Sequence, residues 1–119
     1  MKVVLCFDVD GTLDVGDPRG PIDHRLLWHL ATLDIVTCVV SDSWGKIPGD
    51  VLGKVKYVYG TRRGDKTPSL REILYNERRV SPFVVPFYVG DLESDRVMAE
   101  RAGFIYVHPR VFRVWGMIS

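Results

Sequence analysis

Short apolar runs alternate along this chain with stretches whose apolar residues recur at helical spacing. The apolar runs predict five strands, at 2–7, 35–40, 55–59, 83–89 and 104–107, the fourth interrupted or bent at Pro86. The helical spacing predicts helices at 22–33, 68–79 and 93–102, and the segment 41–54, rich in glycine, predicts only a short or broken helix. Strands that alternate with helices over short connections are typical of a parallel sheet with helices on both faces.

The predicted fold class is therefore α/β, a Rossmann-like three-layer sandwich with a parallel sheet of about five strands. A chain of 119 residues has the length of one domain, and we find no internal linker, so we expect a single domain over 1–119. The apolar segment 109–119 is not assigned to an element. Cys6 and Cys38 fall inside predicted strands, which favours free buried thiols over a disulfide.

Chemically active side chains follow the predicted strands, at the sheet edge where ligands bind in this fold class. They are Asp8 and Asp10 after the first strand, Ser41 and Asp42 after the second, Lys66 beyond the third, and Asp91 and Asp95 after the fourth. Carboxylates that share one edge repel each other, and a divalent cation is the natural compensation. Their hard oxygen atoms suit Mg²⁺, and the nearby lysine and serine suit phosphate oxygens. The pattern predicts phosphoryl transfer.

These residues resemble, in order, the four motifs of the haloacid dehalogenase-like superfamily of phosphohydrolases. Asp8 to Thr12 (DVDGT) resembles motif I, Ser41 motif II, Lys66 in GDKTP motif III, and residues 90–95 (GDLESD) motif IV. The resemblance covers residues 3 to about 107. It implies a Mg²⁺-dependent phosphatase that hydrolyses a phosphate monoester.

The resemblance also assigns roles. Asp8 would be the nucleophile that forms an aspartyl-phosphate, and Asp10 would protonate the leaving oxygen and then take a proton from water. Asp8, the backbone carbonyl of Asp10, and Asp91 would hold Mg²⁺, while Ser41 and Lys66 would bind the phosphoryl group. Asp95, Thr12 and Asp42 would have supporting roles. The presence of Asp10 favours phosphate chemistry over dehalogenation, which has no leaving alkoxide to protonate.

Many members of this superfamily carry a cap domain, and this chain has no room for one. The segments 14–34 and 43–66, where caps are inserted, hold only short predicted elements. A capless enzyme is expected to act on the phosphate group of a larger molecule or to use a second copy of the chain as its lid. The loop 14–20 is the expected flap over the site, and Trp44 could stack on a leaving group.

Several alternatives remain open at this stage. The phosphatase could be specialised for nucleic-acid or protein phosphate ends, or the chain could be a catalytically silent binding protein that kept the site. Ser43 could replace Ser41, and Arg62 or Arg63 could take over phosphate contacts. Asp42 could instead cap a loop. Asp14 and Asp17 are expected to be turn residues. The histidines are expected to lie outside the site.

Overall charge adds little support for a nucleic-acid partner. The formal net charge is +1, without the strong basic field that nonspecific nucleic-acid binding requires. No apolar run approaches the roughly 20 residues of a membrane span, and the apolar N-terminal run lacks the length and cleavage site of a signal peptide. We therefore expect a cytoplasmic protein with no membrane partner.

Overall fold

A computed structural model of the chain describes residues 1–112, in which strands and helices alternate as the sequence pattern predicts. The strands are β1 (Lys2–Phe7), β2 (Val36–Val40), β3 (Tyr57–Tyr59), β4 (Val84–Val89) and β5 (Ile105–Val107). The helices are α1 (Leu26–Thr32), α2 (Gly49–Leu52), α3 (Thr67–Val80) and α4 (Glu93–Arg101), and a 3₁₀ turn covers Trp44–Lys46.

All neighbouring strands of the sheet are parallel, in the order β3-β2-β1-β4-β5. The chain builds outward from β1 through β2 to β3 and then returns to the other side of β1 for β4 and β5. The direction of winding therefore reverses between β1 and β4. In open α/β sheets this switch point is where the loops after two adjacent strands diverge and leave room for a ligand.

The sheet has a hydrophobic core on each of its faces because side chains alternate along a strand. Leu5 and Phe7 of β1 pack on one face, with residues of α1 and α2, and Val4 and Cys6 pack on the other, with residues of α3 and α4. This arrangement confirms the three-layer α/β fold. Cys6 and Cys38 are both buried and free.

Two details of the predicted elements are wrong, and each has a local cause. Strand β4 is not interrupted at Pro86, and it pairs with β1 along its whole length. Strand β5 joins β4 only from Phe87 onward, so Pro86 has a neighbouring strand on one side alone, where the missing N–H is tolerated. Helix α1 begins at Leu26 rather than at 22 because Ile22 forms a β-bridge with Leu13.

An ion-pair network centred on the buried Glu77 joins the sheet to α3 at the amino end of the strands. The Glu77 side chain is 1% exposed and accepts hydrogen bonds from Lys56 Nζ (2.8 Å) and the Tyr57 hydroxyl (2.6 Å). Lys2 Nζ lies 3.4 Å from its second oxygen. Burial raises the pKa of Glu77, but the hydrogen bonds from Lys56 and Tyr57 outweigh burial and hold the pKa below its usual range.

Because the folded-state pKa of Glu77 is lowered, this network stabilises the fold above the unfolded-state pKa and is lost as the pH falls. We expect Glu77→Gln to lower the free energy of unfolding by about 1.5–3 kcal/mol at neutral pH, and the gap to wild type to narrow in acid. Urea denaturation over a pH series measures both effects. Glu72→Gln, an exposed change on the same helix, is the control and should follow wild type. A gap that stays constant with pH would contradict the ionic role of Glu77.

The structure places only the start of the C-terminal segment. The Phe112 ring meets the edge of Phe7, with 5.4 Å between the ring centroids, so this part of the segment packs on the core face of β1. The remainder of the unassigned segment 109–119, from residue 113, lies outside the described residues. Within residues 1–112, helices fall short of the length and apolar character that crossing a membrane requires.

Candidate active site

The loops after β1 and β4 meet at the switch point and bring together the acidic residues of motifs I and IV. The Asp8 N–H donates to the Val89 carbonyl at 2.9 Å, which continues the pairing of β1 with β4 to the ends of both strands. Asp8, Asp91 and Asp95 each offer a carboxylate oxygen, and these oxygens lie within 4.8 Å of one another. The predicted cluster of carboxylates at the sheet edge is present.

Lys66, at the start of α3, is buried against this cluster, where it donates hydrogen bonds to Asp95 and Tyr88 and forms an ion pair with Asp8. Its Nζ lies 3.0 Å from Asp8 Oδ1, 2.7 Å from Asp95 Oδ1 and 2.6 Å from the Tyr88 hydroxyl. An ammonium group has three N–H bonds, and three acceptors surround it here. Lys66 therefore fixes Asp8 in position, and a phosphoryl group would contact it only by sharing or replacing one of these partners.

The charges of the cluster do not balance. Asp8, Asp91 and Asp95 carry three negative charges when ionised, and Lys66 supplies one positive charge, which leaves a formal charge of −2. Burial raises the pKa of Asp8 to about 6 even though the Lys66 charge opposes that shift. Burial also raises the pKa of Asp91. The folded chain thus holds carboxylates in a place where their charged forms need further compensation.

The oxygen atoms at this site fit a hard divalent cation. Asp91 Oδ1 is buried and has no hydrogen-bond partner among residues 1–112, and such an orphaned acceptor is costly unless something binds it. The two oxygens of Asp95 are already engaged, by Lys66 and by the Leu92 backbone N–H (3.1 Å). Asp8 and Asp91 are therefore the better candidates for direct ligands, and Asp95 acts on the site by holding Lys66 and the first turn of α4.

Gly11 is required beside Asp91 for two reasons. Its φ of +75° lies in the left-handed region, and a Cβ atom there would sit 2.0 Å from Asp91 Oδ2. Gly64 has nearly the same φ, +79°, but no atom lies within 4 Å of a Cβ placed on it. Comparing substitutions at the two glycines therefore separates the effect of backbone strain from the effect of the close approach to the Asp91 carboxylate.

We expect Gly64→Ala to cost about 1–2 kcal/mol of stability through backbone strain alone. Gly11→Ala should cost more and, at the Mg²⁺ site that the sequence predicts, should also weaken cation binding, because Asp91 has to move. Urea denaturation and calorimetric Mg²⁺ titration of both variants provide the comparison. Equal Mg²⁺ affinity in the two variants would mean that Asp91 does not hold the cation.

Asp10 turns away from the carboxylate cluster and is held as an anion by the segment after β2. Its Oδ1 accepts hydrogen bonds from Lys46 Nζ (2.7 Å) and the Asp17 N–H (2.9 Å), and its Oδ2 accepts one from the Ser43 hydroxyl (2.6 Å). Partial burial raises the pKa of Asp10, but the hydrogen bonds from Lys46 and Ser43 outweigh it and bring the pKa to about 2. Asp10 is thus ionised in this arrangement.

The remaining predicted site residues differ in burial and in hydrogen-bond partners. Ser41 is buried and its hydroxyl accepts the Ser43 N–H at 3.0 Å, and Thr12 is fully buried. Asp42 instead accepts hydrogen bonds from the backbone N–H (2.7 Å) and the hydroxyl (2.6 Å) of Thr61, which is the loop-capping alternative. Arg62 and Arg63 are exposed and make no ion pair within residues 1–112.

The expected flap, residues 14–20, is folded tightly onto the loop that carries Asp8 and Asp10. A Cβ atom on Gly16 would lie 2.5 Å from the Val9 carbonyl oxygen, and one on Gly20 would lie 2.1 Å from the Thr12 carbonyl carbon. Asp14 anchors the outer end of the flap by accepting hydrogen bonds from the His24 backbone and ring, each at 2.9 Å. These close approaches position the flap beside Asp10.

Two residues of the site were missed from the sequence. Lys46 lies in an irregular segment, and no spacing rule connects it with Asp10. Tyr88 could have been predicted, because a buried tyrosine near the end of a strand needs a hydrogen-bond partner for its hydroxyl. In the structure that hydroxyl accepts from Lys66 and lies 3.4 Å from the Val40 carbonyl.

A scan against protein-family models finds no match for the chain, and a search of curated proteins finds no significant match. The case for a function therefore depends on the geometry of the site.

Proposed function

We propose that this chain is a Mg²⁺-dependent phosphatase of the capless haloacid dehalogenase-like type, which hydrolyses a phosphate monoester through an aspartyl-phosphate on Asp8. One observation carries the proposal. Asp8 lies at the switch point of the sheet, held by Lys66 inside a buried cluster whose carboxylates exceed its cations by two charges. A nucleophile, a cation site and a fixed lysine at one strand edge suit phosphoryl transfer, in which positioning and charge neutralisation supply most of the catalysis.

In the first half of the proposed reaction, an Asp8 carboxylate oxygen forms a bond to phosphorus and the ester P–O bond breaks. The ester oxygen leaves with a proton from Asp10 as an alcohol. In the second half, Asp10 takes a proton from water, and the resulting hydroxide attacks the phosphorus of the aspartyl-phosphate. Free Asp8 and inorganic phosphate result, so atoms and charges balance.

The contacts of Asp10 suit the second half more directly than the first. An ionised Asp10 can accept a proton from water, but it must be protonated to act on the leaving oxygen. The Lys46 ammonium on Oδ1 opposes that protonation. We infer that Lys46 leaves Asp10 when the substrate enters, which removes the cation that opposes protonation of Asp10 and leaves the Asp17 N–H as the remaining donor to Oδ1.

Asp8 and Asp91, with the backbone carbonyl of Asp10, are the proposed Mg²⁺ ligands. When bound there, the cation would neutralise charge on the phosphoryl oxygens. Lys66, itself paired with Asp95, would hold the nucleophile in place through its ion pair with Asp8 Oδ1. Ser41 would add a neutral donor to the phosphoryl group.

Hydrolysis of p-nitrophenyl phosphate is the direct test. Turnover should require Mg²⁺, stop with EDTA and return when Mg²⁺ is restored in excess. Ca²⁺, whose larger radius and flexible coordination fit poorly with in-line transfer, should support much less turnover. If the chain binds Mg²⁺ but hydrolyses neither this ester nor phosphorylated peptides and oligonucleotides, it is a binding protein and the proposal is wrong.

A further inference from the structure

A cavity of about 320 Å³ adjoins the carboxylate cluster at Asp91, and Lys66 is not among the residues that line it. The flap lines one wall and the segment after β5 lines the other, and Asp91 and Gly11 form part of its floor. Its volume is at the lower end of the range for small-molecule sites, about 300–1,000 Å³. A group bound in this cavity would lie next to the reacting phosphoryl group without replacing it.

The walls of this cavity are basic. Arg19 of the flap and Arg110 after β5 both line it, and neither side chain forms a hydrogen bond or salt bridge with another residue of the range 1–112. By contrast, Arg25 and Arg96 are each paired with a carboxylate. Once the charge of Asp91 is committed to a cation, two positive charges in the cavity remain without a partner.

His108 adds an N–H donor to the same wall. Its Nδ1 accepts the Arg110 N–H at 3.2 Å, so the proton of the neutral ring resides on Nε2. Two guanidinium groups and one imidazole N–H form a donor set with no acceptor among them. Guanidinium groups favour phosphate because two of their N–H bonds match two of its oxygens.

We propose that this cavity, which we name the Arg19–Arg110 subsite, binds a second phosphate group carried by the leaving group of the substrate. The proposal rests on the proposed phosphatase function and makes it specific. The substrate is then a bisphosphate, or a molecule with a phosphodiester next to its terminal phosphate. The enzyme removes the phosphate at Asp8 and holds the other one. Arg19 also lines a second cavity of about 650 Å³, together with Lys46.

Matched pairs of substrates test the subsite separately from the chemistry. Propane-1,3-diyl bisphosphate and propyl phosphate have the same scissile bond and differ in the second phosphate. We expect kcat/KM to be higher for the bisphosphate by about tenfold or more, after correction for its two equivalent ends. Arg19→Ala and Arg110→Ala should each reduce this ratio, and the double variant should bring it to about one. Arg78→Ala, an exposed arginine near the end of α3, should leave the ratio at its wild-type value.

A binding measurement removes the dependence on turnover. In the Asp8→Asn variant with saturating Mg²⁺, calorimetric titration with propane-1,3-diyl bisphosphate should give an affinity that Arg19→Ala and Arg110→Ala both weaken. A 5′-phosphorylated trinucleotide in the same titration distinguishes a small bisphosphate from a nucleic-acid end, and tight binding of either ligand through both arginines supports the subsite. The proposal is overturned if the substrate ratio is near one in wild type, or if the arginine variants change neither the ratio nor the affinity. If p-nitrophenyl phosphate is not hydrolysed but the arginine-dependent binding remains, the phosphatase proposal alone fails.

Discussion

Replacing Asp8 with asparagine should abolish hydrolysis of p-nitrophenyl phosphate while leaving the fold intact. An amide of the same shape cannot form the aspartyl-phosphate, so we expect turnover to fall by at least about 10³-fold. The loss should appear in kcat, because the groups proposed to bind the phosphoryl group, Ser41 and Lys66, are unchanged. Steady-state kinetics with saturating Mg²⁺ measure this effect.

The same substitution should not destabilise the protein. Asp8 is 6% exposed, and its raised pKa means that its negative charge disfavours the folded state at neutral pH. Removing that charge also leaves Lys66 with Asp95 and Tyr88 as partners. We therefore expect the melting temperature of Asp8→Asn, measured without metal, to equal or exceed that of wild type.

Together these two results separate catalysis from folding. Asp50→Asn removes an exposed carboxylate in the first turn of α2 and should change neither turnover nor melting temperature. If Asp8→Asn retains more than a few per cent of wild-type turnover, Asp8 is not the nucleophile. If it is inactive but also unfolds at a much lower temperature, the loss of activity says nothing about the nucleophile, and the covalent intermediate must be trapped directly with a phosphate analogue.

Most of the fold could be predicted because its elements are strongly patterned. The run at 2–7 is apolar throughout, which is typical of a strand covered on both faces, and the structure makes it β1. Element ends were predicted less well because tertiary contacts set them. Ile22 has the apolar character of a helical position, yet its N–H donates to the Thr12 carbonyl, and α1 begins four residues later.

The candidate site could be predicted wherever topology alone brings residues together. Asp8 and Asp91 follow strands that are neighbours in the sheet, so the order of strands determines their proximity. Asp10 follows the same strand as Asp8, but its partner could not be predicted. Its contact with Lys46 joins residues 36 positions apart through a 3₁₀ turn, and no periodic pattern encodes the path of such a turn. Side-chain partners on irregular segments are the part of a site that sequence reasoning misses.

Replacing Lys66 with methionine should be the most destabilising change at the site. The Lys66 side chain is 9% exposed, and its loss leaves the carboxylates of Asp8 and Asp95 close together without their cation. Removing one partner of a buried ion pair typically costs about 3–5 kcal/mol, a large share of the roughly 5–15 kcal/mol that stabilises a domain. Urea denaturation without metal measures the loss.

Lys46→Met is the matched control because Lys46 also pairs with a carboxylate of motif I. That pair is well exposed, with 41% of the Lys46 side chain and 36% of the Asp10 side chain accessible, and we expect its loss to cost at most about 1 kcal/mol. If the two lysine variants were equally destabilised, burial could not be the reason that the Lys66 ion pairs contribute to stability.

Two further measurements show whether charge is the cause of the Lys66→Met effect. At the proposed cation site, saturating Mg²⁺ should reduce the cost of Lys66→Met, because the cation would offset the same carboxylates. Adding Asp8→Asn to Lys66→Met removes one of the two unpaired charges, so the double variant should be more stable than Lys66→Met alone. If Lys66→Met acted only by leaving a packing defect, its cost relative to the matched chain that keeps Lys66 would be the same without metal, with saturating Mg²⁺ and in the Asp8→Asn chain.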